Sequence, residues 1–218
     1  MPRSLRVLTY NIRQLRDDAA GVAEVLRRAD ADVVAIQEPP RGPFGRSRLR
    51  RLAADAGYDV AVGGGRARTT ALLVREGTTA TTTQGVWLKW RPGRTRRGLA
   101  MAEVAGVRVI SAHLSLHEAE RLQHAHRLML LVRSAPGDCV VAGDLNEEPG
   151  GPTWRRLGLH LRDLSAATGP TFTARNPRRR IDAVLATGGV SAVHVRRIDD
   201  EVARTASDHL PVLAELRW

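Results

Sequence analysis

Lysine is nearly absent from this chain: of its 34 basic residues, all but Lys89 are arginine. Cysteine occurs once, at Cys139, so no intramolecular disulfide can form. A lone thiol within Asp138-Cys139-Val140-Val141 is expected to be a small buried hydrophobe in a reducing compartment. No apolar run approaches the roughly 18 residues that a membrane-spanning helix needs. Met1-Pro2-Arg3-Ser4 runs straight into a strand pattern with no apolar h-region, so no signal peptide is expected. Together these absences predict a cytoplasmic protein. Repeats, low-complexity tracts and linkers are missing too. What is left is 218 residues, 43% hydrophobic and 26% charged, read as one globular α/β domain over residues 1–218.

The net charge of +11 favours an anionic partner, because clustered cations release counterions from phosphates. Arginine is so favoured, and Asn, Ile, Phe and Tyr so scarce, that the skew looks like the codon usage of a GC-rich genome. Such usage puts arginine on any solvated face. The clusters Arg46-Ser47-Arg48-Leu49-Arg50-Arg51, Arg94-Thr95-Arg96-Arg97 and Arg178-Arg179-Arg180 therefore matter more than the total, since an arginine fork grips phosphate in two places.

Against this background, six short hydrophobic runs each end on a residue suited to a metal or a phosphate. They are L-R-V-L-T-Y-Asn11, V-V-A-I-Q-Glu38, V-I-S-A-His113, V-V-A-G-Asp144-L-Asn146, R-I-Asp182-A-V-L and S-Asp208-His209-L-P-V. Apolar runs of this length bounded by turn signals read as buried strands, and a strand end is where a rigid sheet can hold a polar group still. Six such endings predict one site assembled from distant parts of the chain.

Between these runs the pattern predicts helices over Asp17–Arg28, Leu49–Gly57, Glu118–Arg133 and Thr153–Leu157. The stripe Leu122, Ala125, Leu128, Met129 and Val132 marks the third of them. Strands are predicted over Tyr58–Val62, Thr70–Val74, Thr79–Trp90, Leu99–Val104 and Val107–Ala112, and over Val190–Arg196 and Leu210–Leu216 near the end. Trp87 and Trp90, three apart, fall on opposite faces of a regular strand, so at least one is expected in the core.

The ordered set T-Y-N-I-R, A-I-Q-E, S-A-H-L, A-G-D-L-N, R-I-D-A-V-L and S-D-H-L-P-V resembles the endonuclease/exonuclease/phosphatase superfamily, from about residue 5 to 216. The fold that this resemblance implies is a four-layer α-β-β-α sandwich, DNase I-like, with the site at one end of two packed sheets. It also implies hydrolysis of a phosphate ester with a divalent cation, Mg²⁺ or Mn²⁺. Hard cations of that kind prefer carboxylates, waters and substrate oxygens. Glu38 is the leading ligand, with Asn11 and Asp208 completing the shell.

Asp144 is expected to orient or deprotonate the attacking water, and the Asn146 amide to donate to a phosphate oxygen. If the chain there is extended, both side chains point the same way. Asp182 and His209 read as a pair in which the carboxylate fixes the ring and favours imidazolium. His113 would be a second imidazole at the phosphate or leaving group. Some repair endonucleases carry Tyr there, and often an acid where this chain has Arg13 and Q-E-T-K where it has Q-E-P-P. An abasic-site endonuclease is thus not the first expectation. The remaining histidines, His117, His124, His126, His160 and His194, lack a motif and are read as surface or packing residues.

A monomeric phosphodiesterase acting on DNA or RNA is the leading expectation. A phosphatase or phosphodiesterase on a phospholipid, inositol phosphate or nucleotide is the rival, with Trp87 and Trp90 beside the Arg94–Arg97 turn as a possible membrane-facing hairpin. A non-catalytic nucleic-acid binder would need to have lost catalytic groups, and every expected group is present. Substrate choice is expected to lie in the central segment from Gly63 to Arg97.

Overall fold

Two six-stranded mixed sheets face one another in this computed structural model, which describes residues 3–218. The first holds β1 (Ser4–Asn11), β2 (Val33–Gln37), β3 (Tyr58–Gly63), β4 (Thr70–Arg75), β11 (Ser191–Arg197) and β12 (Val212–Arg217), in the order β11-β12-β1-β2-β4-β3. The second holds β5 (Ala80–Trp87), β6 (Gly98–Val104), β7 (Val107–His113), β8 (Cys139–Asp144), β9 (Arg162–Asp163) and β10 (Asp182–Ala186), in the order β5-β6-β7-β8-β10-β9.

Strand alternation builds the layers. Side chains of period two on one face of the first sheet (Leu5, Val7, Val33, Ala35, Leu72, Val74, Val212, Ala214) meet Val107, Val109, Val140, Ala142 and Val184 of the second. Each large apolar side chain buried in this seam contributes about 1.5–3 kcal/mol relative to exposure. The opposite face of the first sheet, with Leu8, Tyr10, Val34, Ile36 and Leu73, is covered by α1 (Ala19–Ala29), α2 (Gly45–Ala56) and α5 (Glu201–Ala206). The outer face of the second, with Ile110, Val141 and Leu185, is covered by α3 (Glu118–Arg133) and α4 (Pro152–Leu157). The expected four-layer α-β-β-α sandwich is therefore present.

Most element boundaries follow the sequence reading, and the departures have local causes. Helix α1 begins after Asp18, whose carboxylate accepts the Ala20 N–H, and α2 stops at Gly57 with φ of +81°. Helix α2 starts at Gly45, a full turn before Leu49, because its first turn is solvated and carries no apolar signal. Helix α5 was not foreseen. Its only cues are Asp200, which caps the Ala203 N–H, and the following Glu201. On α3 the buried stripe takes in Arg121 and His124 rather than Leu122, which is half-buried. Cys139 is fully buried, as expected.

The expectation for the tryptophans fails. Trp87 is 57% exposed and Trp90 36%. Strand β5 is an edge strand, and Val86 and Leu88 take the core side. Arg66 lies 4.9 Å over the Trp87 ring and Arg96 lies 4.2 Å over that of Trp90, so guanidinium planes, not core side chains, cover them.

Candidate active site

Strand direction gathers the site at one end of the seam. β1 and β2 are parallel and finish side by side at Asn11 and Gln37, with Glu38 next. β12 runs against β1, so Asp208 and His209, just before it, start where β1 stops. In the second sheet β7 and β8 are parallel and end paired at His113 and Asp144. β10 is antiparallel to β8 and begins at Asp182, opposite Asp144. His113, Asp144 and Asp182 thus form one row on the face that, further in, supplies Val109, Ala142 and Val184 to the seam. The same stripe that is apolar inside turns polar at its end.

The side chains meet across the two sheets. Asn11 Nδ2 donates to Asp144 Oδ2 at 3.1 Å. His113 Nε2 lies 3.6 Å from Asp144 Oδ2 and 4.0 Å from Glu38 Oε1. His209 Nδ1 is 2.9 Å from Asp182 Oδ2, and its Nε2 is 3.9 Å from Asp144 Oδ2. Thr171 Oγ1 also donates to Asp182 Oδ2, and the Phe172 ring packs 4.8 Å from the His209 ring. Six of the eight expected residues (Asn11, Glu38, His113, Asp144, Asp182 and His209) therefore form one connected group.

The other two sit differently. The segment 144–146 is not extended: Asn146 has φ of +52°, and Asp144 Oδ1 accepts the Asn146 N–H at 2.8 Å, closing an Asx-turn. The Asn146 side-chain amide gives one N–H to the Leu114 carbonyl at 2.9 Å, and its second N–H has no partner among the described residues. Asp208 is 3.4 Å from Arg13 Nε and 3.5 Å from Ser207 Oγ, so its carboxylate faces Arg13 rather than Asp144. Glu38 also has a left-handed backbone, φ +50°. Two non-glycine residues of this group thus hold a conformation that costs free energy unless the surroundings enforce it.

Burial and charge set opposite protonation states on the two imidazoles. Burial works against a charged His209, but Asp182 in direct contact, with Asp144 and Asp208 behind it, outweighs this and raises the ring to about 9. His113 is held well below its ordinary value by burial, then by Arg97 and His209. Asp144 is pushed up to about 6, chiefly by burial and by Asp182, against the pull of His209 and the donors Asn146 and Asn11.

The donor set suits a hard divalent cation. Asp144, Asp182 and His209 bring one ligand atom each within 4.8 Å of one another. His209 as imidazolium has no lone pair to offer, so the oxygens carry the fit. Among the described residues Asp182 Oδ1 is buried without a hydrogen-bond partner, and Glu38 presents a partly open carboxylate beside His113. Asp144, Asp182, Glu38 and the Asn11 amide oxygen are the groups able to hold such an ion.

Several supporting residues escaped the sequence reading. Arg97, 8% exposed, donates to the His113 carbonyl at 3.4 Å and is electrostatically coupled to Asp144 and Glu38. Nothing in Arg94-Thr95-Arg96-Arg97 singles out the buried one. Gln37, at the end of β2, hydrogen-bonds Thr9 and Ser111 and stitches the two sheets just beneath the site. Arg121 binds the Ser115 and Leu116 carbonyls and Glu147, and so ties the loop after His113 to the loop after Asn146. Polar residues on an otherwise apolar stripe were the available signal for both Gln37 and Arg121.

Solved structures of similar shape span nearly the whole chain. An endonuclease/exonuclease/phosphatase family protein from Bacteroides thetaiotaomicron superposes with a TM-score of 0.82 at 17% identity, covering 100% of this chain and 99% of that one. A mannosyl-6-phosphatase of the same organism gives 0.79 at 19% identity, covering 97% and 99%. TDP2 of D. rerio, complexed with a single-strand DNA product, gives 0.70 at 18% identity, covering 98% of each chain. At these identities the likeness is one of fold. No curated protein sequence matches the chain. The sequence profile that does match, over residues 8–209, has this ordered set of strand-end residues within its span, and the chain belongs to the Endonuclease/Exonuclease/phosphatase family of metal-dependent phosphoester hydrolases.

Proposed function

We propose that this hydrolase cleaves phosphodiesters of nucleic acid with Mg²⁺ or Mn²⁺ as its ion. One observation carries the reading. A single carboxylate, Asp144, stands within 4.0 Å of an amide donor, a neutral imidazole and an imidazolium drawn from both sheets. Water attack on an anionic phosphorus needs these groups: an acceptor for the water proton and donors for the charge that builds on phosphorus and leaving oxygen.

When bound, a divalent ion supplies Lewis acidity at the phosphoryl oxygens. Asp144, buried and poised near neutrality, orients the attacking water and takes its proton. His209, kept charged by Asp182, donates from Nε2 to a phosphate oxygen, and the free Asn146 N–H donates to another. His113, kept neutral, faces the leaving-group side beside Glu38. Arg97 adds fixed positive charge behind both.

Alanine at Asp144 or at His209 should lower hydrolysis by at least about a hundredfold, with circular dichroism unchanged. Unchanged turnover in either variant defeats the assignment. Plasmid DNA, single-stranded DNA, RNA, bis-p-nitrophenyl phosphate and p-nitrophenyl phosphate, each with Mg²⁺ or Mn²⁺, separate the possible substrates. Preference for p-nitrophenyl phosphate would replace the diesterase by a monoesterase.

A further inference from the structure

Just past Glu38 the chain turns through Pro39-Pro40 into a cleft of about 340 Å³ lined by Pro40, Arg41, Arg46, Gly64, Arg68 and Arg96. Elsewhere much of the arginine surplus is neutralised: Arg6, Arg13, Arg75, Arg108, Arg121 and Arg180 each rest on an acid. The four cleft arginines do not. Among the described residues none has a carboxylate within 4.0 Å or a side-chain hydrogen bond. Four like charges converging without an acid are costly unless an anion sits among them.

The cleft is built, not incidental. Gly64, at φ +69°, lets Arg46 lie against the backbone, and a Cβ there would stand 2.8 Å from Arg46 Nε. Gly45 lets α2 start on the Pro40 carbonyl, where a Cβ would come within 2.5 Å of that oxygen. The cleft adjoins the candidate active site: Arg41 lies three residues beyond Glu38, at most about 11 Å away between Cα atoms. Its charge is felt at His113 and Arg97.

The cations also continue in line. Arg46 is shared with a second cleft of about 220 Å³ that includes Arg50, one turn further along α2. At the near end, exposed Trp87 lies beside Arg66 and Arg68, whose guanidinium carbons are 4.9 and 6.0 Å from its ring centroid. A compact anion needs one cluster; guanidinium groups in successive clefts beside an exposed aromatic side chain fit an extended strand, with backbone on the charges and a base against the exposed part of the Trp87 ring.

We infer that this cleft is a second phosphate subsite, which holds a phosphate flanking the scissile one and, with Arg50, tracks a single nucleic-acid strand. The inference rests on the phosphodiesterase reading above, but its test does not need turnover. Fluorescence anisotropy of a labelled oligothymidylate, titrated in EDTA over a range of salt, would compare the intact protein with Arg46→Gln/Arg96→Gln. Affinity should fall at least tenfold. The slope of log affinity against log salt should become shallower by about 1.4, at about 0.7 per lost single-strand phosphate contact.

In parallel, with Mg²⁺, the double variant should lose at least tenfold more kcat/KM on the oligonucleotide than on bis-p-nitrophenyl phosphate, which has a single phosphate. Arg41→Gln serves as an independent variant with the same expected direction. Unaltered affinity and slope, or no binding by the intact protein, overturn the subsite. Equal loss on both substrates overturns it as well. Displacement of the oligonucleotide by inositol hexakisphosphate as effectively as by unlabelled strand would overturn the strand assignment in favour of a compact polyphosphate. If neither substrate turns over while the anisotropy result holds, the phosphodiesterase reading fails and the cleft stands as a strand-binding phosphate site.

Discussion

Asn11 and Asp144, 133 residues apart and on different sheets, share a hydrogen bond of 3.1 Å at the mouth of the inter-sheet seam. Asn11 also accepts the Arg13 N–H through Oδ1, so its amide is fixed at both ends. The bond orients the carboxylate proposed to handle the attacking water. Asn11→Ala should cost about 1.5–3 kcal/mol of stability, as expected for a hydrogen bond to a charged group. It should also lower turnover at least tenfold. Urea denaturation alongside steady-state kinetics checks both, and a variant as stable and as active as the parent would show the contact to be idle.

His209 should remain protonated well above neutrality in the metal-free protein. Its pKa is raised from 6.5 to about 9 because Asp182 and then Asp144 favour the cation more than burial disfavours it. The sign follows directly. A histidine raised by folding stabilises the folded state fully below pH 6.5, and that contribution is lost as pH climbs through about 9. Histidine-selective NMR over this range should show one ring titrating late. In Asp182→Asn, burial is left with less opposition and the midpoint should drop by at least about one unit. A ring already neutral at pH 8 in the parent would contradict the imidazolium assignment.

Arg13 holds Asp208 in an ion pair. The guanidinium spans Asp17 at 2.8 Å and Asp208 at 3.4 Å, and the latter carboxylate was expected from sequence to face a metal. Arg13→Ala should free Asp208 and lower the Mg²⁺ concentration for half-maximal activity severalfold. Metal titrations of the two proteins test this; a higher requirement in the variant would mean that Arg13 supports the ion site instead of restraining it.

Much of the candidate site's convergence is legible in the sequence because its residues sit at strand ends, and both the apolar run and its polar flank are local. Asn11, Glu38, His113 and Asp144 follow their apolar runs, and Asp182 opens one. What stayed hidden depends on neighbours far away in sequence. The run containing Trp87 reads as a strand, yet that strand takes the edge of its sheet, and the ring remains exposed there. Arg97 looks like its neighbours Arg94 and Arg96 until β6 carries it under His113. Asn146 shows the limit of a spacing argument: two residues apart implies a shared face only while the backbone is extended, and φ of +52° ends that. Helix α5 is too short for periodicity to announce it.

The row His113–Asp144–Asp182 belongs to one sheet, while Asn11, Glu38 and His209 hang from the other. Neither half holds the machinery alone, so alignment of the two depends on the valine-rich interior between them. Slippage of one layer by a single residue pair would pull donor from acceptor before any helix melted. The grease of the interior is thus also the ruler of the proposed chemistry, and a mutation deep in that filling, such as at Val109 or Val7, should disturb the candidate site without coming near it.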